Sequence, residues 1–354
     1  MRIRHLWFLA LGFCHLALAA QPEGAAADAR LYHREHQALL PGAGSSWGFI
    51  ALDPVRPYLF LARRDNGLSV FDVDKQRPLR TLEQSAGANG VVFVPELDRL
   101  LVLNTDGSLG VVQLSTLKPL KRIAVSQSNL NSAVYEPKTG QVIIVSGRRA
   151  DRSTLFVFDP QQERIVAAHD LAVKKIDPLL LKGDGSFFLP MRDEGVLARL
   201  SSSSFEVLDR WQYPDCQRPS ALAQDEQRSR LFLACRGERP RLLVLDRDNG
   251  ALKASLPLTR DVNALAYDPQ SRRVLVASGV DANLSLIAQL DADRYQALGS
   301  VSTQPMAYNM AFDPRSRKVY LAAMDFTQPA PTPGEPKPDP LFHANTFKVL
   351  TLAP

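Results

Sequence analysis

A short hairpin signature recurs seven times along the chain at nearly constant spacing, and no other feature constrains the fold as tightly. Its clearest copies are Ala266 to Ser278 (AYDPQSRRVLVAS) and Ala311 to Ala323 (AFDPRSRKVYLAA). Each copy is an apolar run, a turn containing Asp-Pro and basic residues, and a second apolar run, which spells strand, turn, strand. With the turn Asp as a marker, the series is Asp53, Val94, Glu136, Lys182, Asp225, Asp268 and Asp313, at intervals of 41, 42, 46, 43, 43 and 45 residues. Six residues after the markers stand Leu59, Leu100, Val142, Phe188, Leu231, Val274 and Val319, all apolar.

A third strand-like run follows each hairpin, beginning at Leu68, Leu109, Leu155, Val196, Leu242, Leu284 and Phe347, and a fourth usually follows that, as at Pro78 and Ala251. Four strands in a repeat of about 40 to 45 residues is the period of a propeller blade. The expected fold is therefore all-β, a seven-bladed β-propeller of four-stranded antiparallel blades. The seventh repeat reaches Pro354 with only three strands, so residues Leu31 to Leu40 (LYHREHQALL) are expected to supply the fourth. Closing the ring that way covers a raw sheet edge.

Residues 1–20 (MRIRHLWFLALGFCHLALAA) read as a secretory signal peptide, with Arg2 and Arg4 before an apolar stretch and small residues at Ala17 and Ala19. Cys14 is preceded by the bulky Phe13, so no lipid anchor is expected. Residues 21–30 read as a flexible segment and 31–354 as one propeller domain. No later stretch approaches the roughly 20 apolar residues of a membrane helix, so no membrane insertion is expected. The expectation is a periplasmic monomer. Without Arg2 and Arg4 the formal charge falls from +5 to +3, which says little about partners. Cys216 and Cys235 remain, and an even pair in an oxidising compartment reads as a disulfide tying a connector to the fifth blade.

The segment Cys216 to Cys235 (CQRPSALAQDEQRSRLFLAC), the hairpins and the signal peptide together resemble the exported YVTN-repeat propellers, the YncE-like family. Cys216, Pro219, Arg230, Leu231, Phe232 and Cys235 stand at the matching positions. The resemblance implies a seven-bladed propeller and no single reaction. It brings with it ligand and nucleic-acid binders, and more distantly lactonases and quinoprotein amine dehydrogenase subunits; fold alone does not choose among them.

In a propeller the first strand of each blade lines the central channel. Five residues before the markers the chain places Gly48, Asn89, Asn131, Asp177, Ser220, Asn263 and Tyr308. These form either a polar ring for a ligand or a set of turn caps, a role Asn and Asp serve in any repeat. The loops joining second to third strands reach the same face and carry Arg63, Arg64, Arg148, Arg149, Arg192, Arg236 and Arg239, with Asp65, Asp151, Asp193 and Glu238 among them. Paired surface charge is one reading. The other is a rim of guanidinium forks suited to phosphate or carboxylate. Blade seven also carries a proline-rich insertion, about 325–345, readable as a lid, a docking arm or a disordered loop.

Catalytic signals are sparse. His33, His36, His169 and His343 show no metal-binding spacing, and the chain contains no phosphate loop, nucleophile elbow or haem-attachment motif. No cofactor and no metal are expected. The function these features favour is binding of an anionic small molecule or peptide, or of single-stranded nucleic acid if Trp47 and Tyr308 stack on bases, without turnover. A lactonase or amine-dehydrogenase-like enzyme and a scaffold for an envelope protein complex are the alternatives.

Overall fold

The computed structural model describes residues 31–334 and 336–354; the expected signal peptide (1–20) and the segment 21–30 lie outside the described residues. Seven four-stranded antiparallel sheets follow one another along the chain. The innermost strands are Ile50–Leu52, Ala88–Val94, Leu130–Glu136, Leu180–Leu181, Arg218–Asp225, Val262–Asp268 and Asn309–Phe312, in blades 1 to 7. In blade 7 the order is Asn309–Phe312, Val319–Ala323, Phe347–Ala353 and finally His33–Leu40. The amino-terminal strand thus closes the ring as the outer strand of the last blade, paired from His33↔Ala353 to Leu40↔Phe347.

The two middle strands of each blade pack on both faces against neighbouring blades, and so they are continuous apolar runs rather than alternating ones. Tyr58–Ala62 and Leu68–Asp72 in blade 1, and Ser186–Met191 in blade 4, are buried almost throughout. The seven apolar residues six places after each marker are all 0 % exposed. Outer strands face solvent; Arg77–Thr81 is exposed at every position.

The markers explain the hairpin turns. The carboxylate oxygen Oδ1 of Asp53 accepts the backbone N–H groups of Val55 and Arg56, and Asp268 and Asp313 accept those of Gln270 and Arg315 in the same way. Such a side chain fixes the turn locally. Burial works to raise the Asp313 carboxyl, but bonds from Ser316 and Arg315 prevail and hold it below its ordinary value. Blade 4 inverts the charge: Lys182 stands at the marker and pairs with Asp184 at 2.6 Å and with Asp248 of blade 5 at 2.9 Å.

Cys216 and Cys235 form a disulfide, with Cα atoms 5.0 Å apart, that fastens the connector from blade 4 to the second strand of blade 5. Because the bond closes a loop with a sequence separation of 19 residues, replacing both cysteines by serine is expected to lower unfolding free energy by about 3 kcal/mol in denaturant titrations.

Candidate functional site

Four innermost strands begin with a one-residue register shift, between Ala88 and Gly90, Leu130 and Ser132, Pro219 and Ala221, and Val262 and Ala264. The skipped residues are Asn89, Asn131, Ser220 and Asn263, four of the seven ring positions. A bulge leaves one residue out of the ladder and re-aims its side chain. Here the bulges turn polar groups towards the next blade and the channel mouth.

Three of these side chains bind the neighbouring blade's backbone. Asn89 Nδ2 donates to the Leu130 carbonyl at 2.8 Å, Asn131 Nδ2 to Ile176 at 3.4 Å, and Ser220 Oγ to Val262 at 3.5 Å. Between blades 7 and 1 the donor is Asn309, not Tyr308: its Nδ2 bonds to the Gly48 carbonyl. At Gly48 the backbone of Asn89 passes so close that a Cβ would lie 2.0 Å from its carbonyl oxygen, so blades 1 and 2 meet main chain to main chain. Much of the ring is therefore a set of inter-blade fasteners rather than caps of its own turns.

Inside this ring lies a cavity of about 560 Å³ that gathers most of the residues singled out from the sequence: Asn89, Asn131, Asp177, Asn263, Tyr308, Arg64, Arg148, Arg192 and Arg236. Three singled-out arginines lie elsewhere, Arg239 in a separate cavity beside Pro240 and Pro257. Arg63 is buried, donates to the Pro41 carbonyl and to Ser69, and lies 4.7 Å over the Phe347 ring, so it pins the closing strand to blade 1. Arg149 donates to the hydroxyls of Ser126, Ser128 and Thr154, each at 3.0 Å, on the flank of blade 3. Only one arginine of each adjacent pair reaches the well, Arg64 and Arg148.

The sequence reading missed Asn129, Lys175, Asp261 and Met306, all of which line the cavity. Each stands two residues before a ring position, on the same side of the incoming chain, and the period of two would have found them.

Five cations (Arg64, Arg148, Lys175, Arg192, Arg236) and two carboxylates (Asp177, Asp261) face one another across the well. Arg192 pairs with Asp177, Arg236 with Asp261, and Arg148 with Asp193 at 3.0 Å. Arg64 meets only neutral groups, Asn89 Oδ1 at 3.3 Å and Ser46 Oγ. Among the described residues no acceptor meets Lys175 Nζ. Burial holds its ammonium below the ordinary value; Asp177 pulls it back, while Arg192 and Arg148 push it further down. Burial likewise lowers Arg236 to about 10, with repulsion from Arg192 adding to it. The Asp177 carboxyl is raised by the same desolvation, against the pull of Arg192 and Lys175. Trp47 stacks on Tyr308, ring centroids 6.0 Å apart, and is closed in by the edges of Phe342 and Phe347.

The insertion is a packed arm. Phe326–Thr327 pairs with Leu341–Phe342, Gln328 Nε2 donates to the Pro338 carbonyl at 2.8 Å, and Asp325 is held by Lys348 at 2.7 Å. The residues next to that strand pair, Gln328 and Lys337 to Pro340, roof a second cavity of about 680 Å³ over the rims of blades 5 and 6. Arg236, Asp261 and Met306 belong to both cavities. The histidines lie apart from the well: His169 stacks on Phe205 at 4.3 Å and His343 shares a hydrogen bond with Thr327.

By sequence, no family model matches the chain and no curated relative is found. Its likeness to solved structures is one of shape. The WD40 repeats of RRP9 superpose with a TM-score of 0.71 at 10 % identity, over 91 % of this chain and 100 % of that one. A chain of the mitotic checkpoint complex gives 0.71 at 14 % identity, over 90 % and 96 %. A chain of the Kuenenia stuttgartiensis hydrazine synthase gives 0.66 at 12 %, over 80 % and 94 %. The protein is a seven-bladed β-propeller, and its chemistry rests on its own residues.

If the ring fastens blades, Asn89→Ala is expected to cost about 1–2 kcal/mol by stranding the Leu130 carbonyl. Asn263→Ala, whose side chain among the described residues meets only Arg236, is expected to cost less than half as much in the same thermal or denaturant melts.

Proposed function

We propose that this protein is an exported receptor that binds an anionic small molecule, or the acidic end of a peptide, in the well at the mouth of its channel, without turnover. One observation carries the reading: Lys175 is desolvated among Arg148, Arg192 and Arg236 and has no acceptor of its own among the described residues. Lys175 is half-buried, and a cation partly withdrawn from water with no acceptor of its own carries a desolvation cost that an incoming carboxylate or phosphate offsets. With the excess of cations over carboxylates, the well is complementary to an anion that several donors meet at once.

Export to the periplasm and membership of the YncE-like propellers belong to the same proposal. The disulfide supports an oxidising compartment. No helix among the described residues is long and apolar enough to cross a membrane. A small anion is favoured over single-stranded nucleic acid because Trp47 is only 2 % exposed and offers no free face to a base.

Isothermal titration with inorganic phosphate tests the reading. Lys175→Met is expected to weaken binding at least tenfold and Arg64→Met several-fold, while Arg210→Gln on the exposed outer strand of blade 4 changes nothing. Equal affinities in all four proteins would overturn it. The Lys175 pKa is lowered, so the cation exists below that value and is lost as pH rises through it. Affinity is therefore expected to decline at a pH below the ordinary lysine range, and Lys175→Met removes that limb of the profile. Deleting Pro329 to Asp339 is expected to speed phosphate release, read by stopped-flow, because the arm roofs the adjoining cavity.

A further inference from the structure

Following the innermost strands inward from the well, the wall changes character within one step of the pleat. Phe49, Asn89, Asn131 and Asp177 line the well. Two residues on, Ala51, Val91, Ala133 and Leu179 line a second cavity of about 470 Å³, which continues to Pro54, Pro95 and Leu181. The two linings stand two residues apart along the same chain segments, a step of about 3.3 Å per residue in a strand, so the second cavity follows the well along the inner strands of blades 1 to 4.

The apolar stretch is general to the ring. The four residues before each marker are FIAL, GVVF, SAVY, PLLL, ALAQ, ALAY and NMAF, without a single charged side chain. Most are half-buried in the propeller rather than sealed between blades, as at Val91, Ala133 and Leu180. A water-filled passage would leave this apolar wall wet, and covering it is favourable in proportion to the area removed from water. An ion alone fills only the cationic end.

Resting on the anion-receptor reading above, we infer that the ligand is an anionic amphiphile: a carboxylate or phosphate head held by Lys175 and its neighbouring arginines, with a single alkyl chain running down the channel along Val91, Ala133 and Leu179. The charge of the well selects the head, and the apolar lining that follows it two residues further along the same strands selects a chain over a second polar group. A zwitterionic or branched sugar ligand lacks the apolar half that this wall requires.

Isothermal titration of the whole protein with butanoate, octanoate and 1-octanol tests the inference. Octanoate is expected to bind more tightly than butanoate by one to two orders of magnitude, approaching about fourfold (~0.8 kcal/mol) for each added methylene that is fully buried. 1-Octanol is expected to bind far more weakly than octanoate. Val91→Thr, nearly the same in shape but polar, is expected to weaken octanoate several-fold and leave butanoate unchanged. Equal binding of the two carboxylates overturns the amphiphile inference and leaves the anion well standing. 1-Octanol binding as tightly as octanoate overturns both the assigned head site and the anion reading, and so does failure of both carboxylates to bind.

Discussion

Everything in this molecule depends on burying both faces of the middle strands between adjacent blades. A propeller blade cannot satisfy its own apolar faces; each one leans on two neighbours, so the arrangement holds only if the ring closes. Leu59, Phe188 and Val319 sit fully buried in the first, fourth and seventh repeats for that reason, and the strand His33–Leu40 completes blade 7 rather than starting blade 1. Arg63 belongs to the same closure, since it ties Pro41, just after that strand, to Ser69 of blade 1.

Closure also creates the site. Seven strands that begin at one face bring seven similar positions to one mouth, and the bulges at Asn89, Asn131 and Asn263 lift those side chains out of the ladder. The result serves two ends at once. Asn89 and Asn131 spend their donors on neighbouring carbonyls, and the rigid collar so formed presents Arg64, Lys175 and Arg236 at fixed positions. A site on such a collar loses little entropy when it closes on a ligand.

The fold was legible in the sequence because its determinants are local and repeated: an acidic turn, an apolar residue six places on, and a period of about 43. The disulfide and the closing strand followed from counting. Much of the well was legible too, since the ring positions share that period. What spacing could not show was direction. Arg63 and Arg64 are neighbours, yet one is buried against Phe347 and the other faces the well. The left-handed backbone of Arg64, φ 47°, and its main-chain bonds to Gly87 and Ala88 decide between them. Arg148 and Arg149 also part, one lining the well and the other bonded to Ser126, Ser128 and Thr154. Tyr308 took the ring position by count, but the fastening bond fell to Asn309, because the strand of blade 7 starts without the bulge seen in blades 2, 3, 5 and 6. Lys175 escaped notice because ring positions were read in isolation, without the residues one pleat before them.

The central claim is that the cationic well holds an anion in the working protein. Native mass spectrometry at low activation energy, on wild-type protein and Lys175→Met purified from the cells that express them, tests it most directly. The account predicts an added mass on the disulfide-bonded wild-type chain, shed on stronger activation and strongly reduced in the variant. A bare chain mass in both, or the same added mass on both, would contradict it.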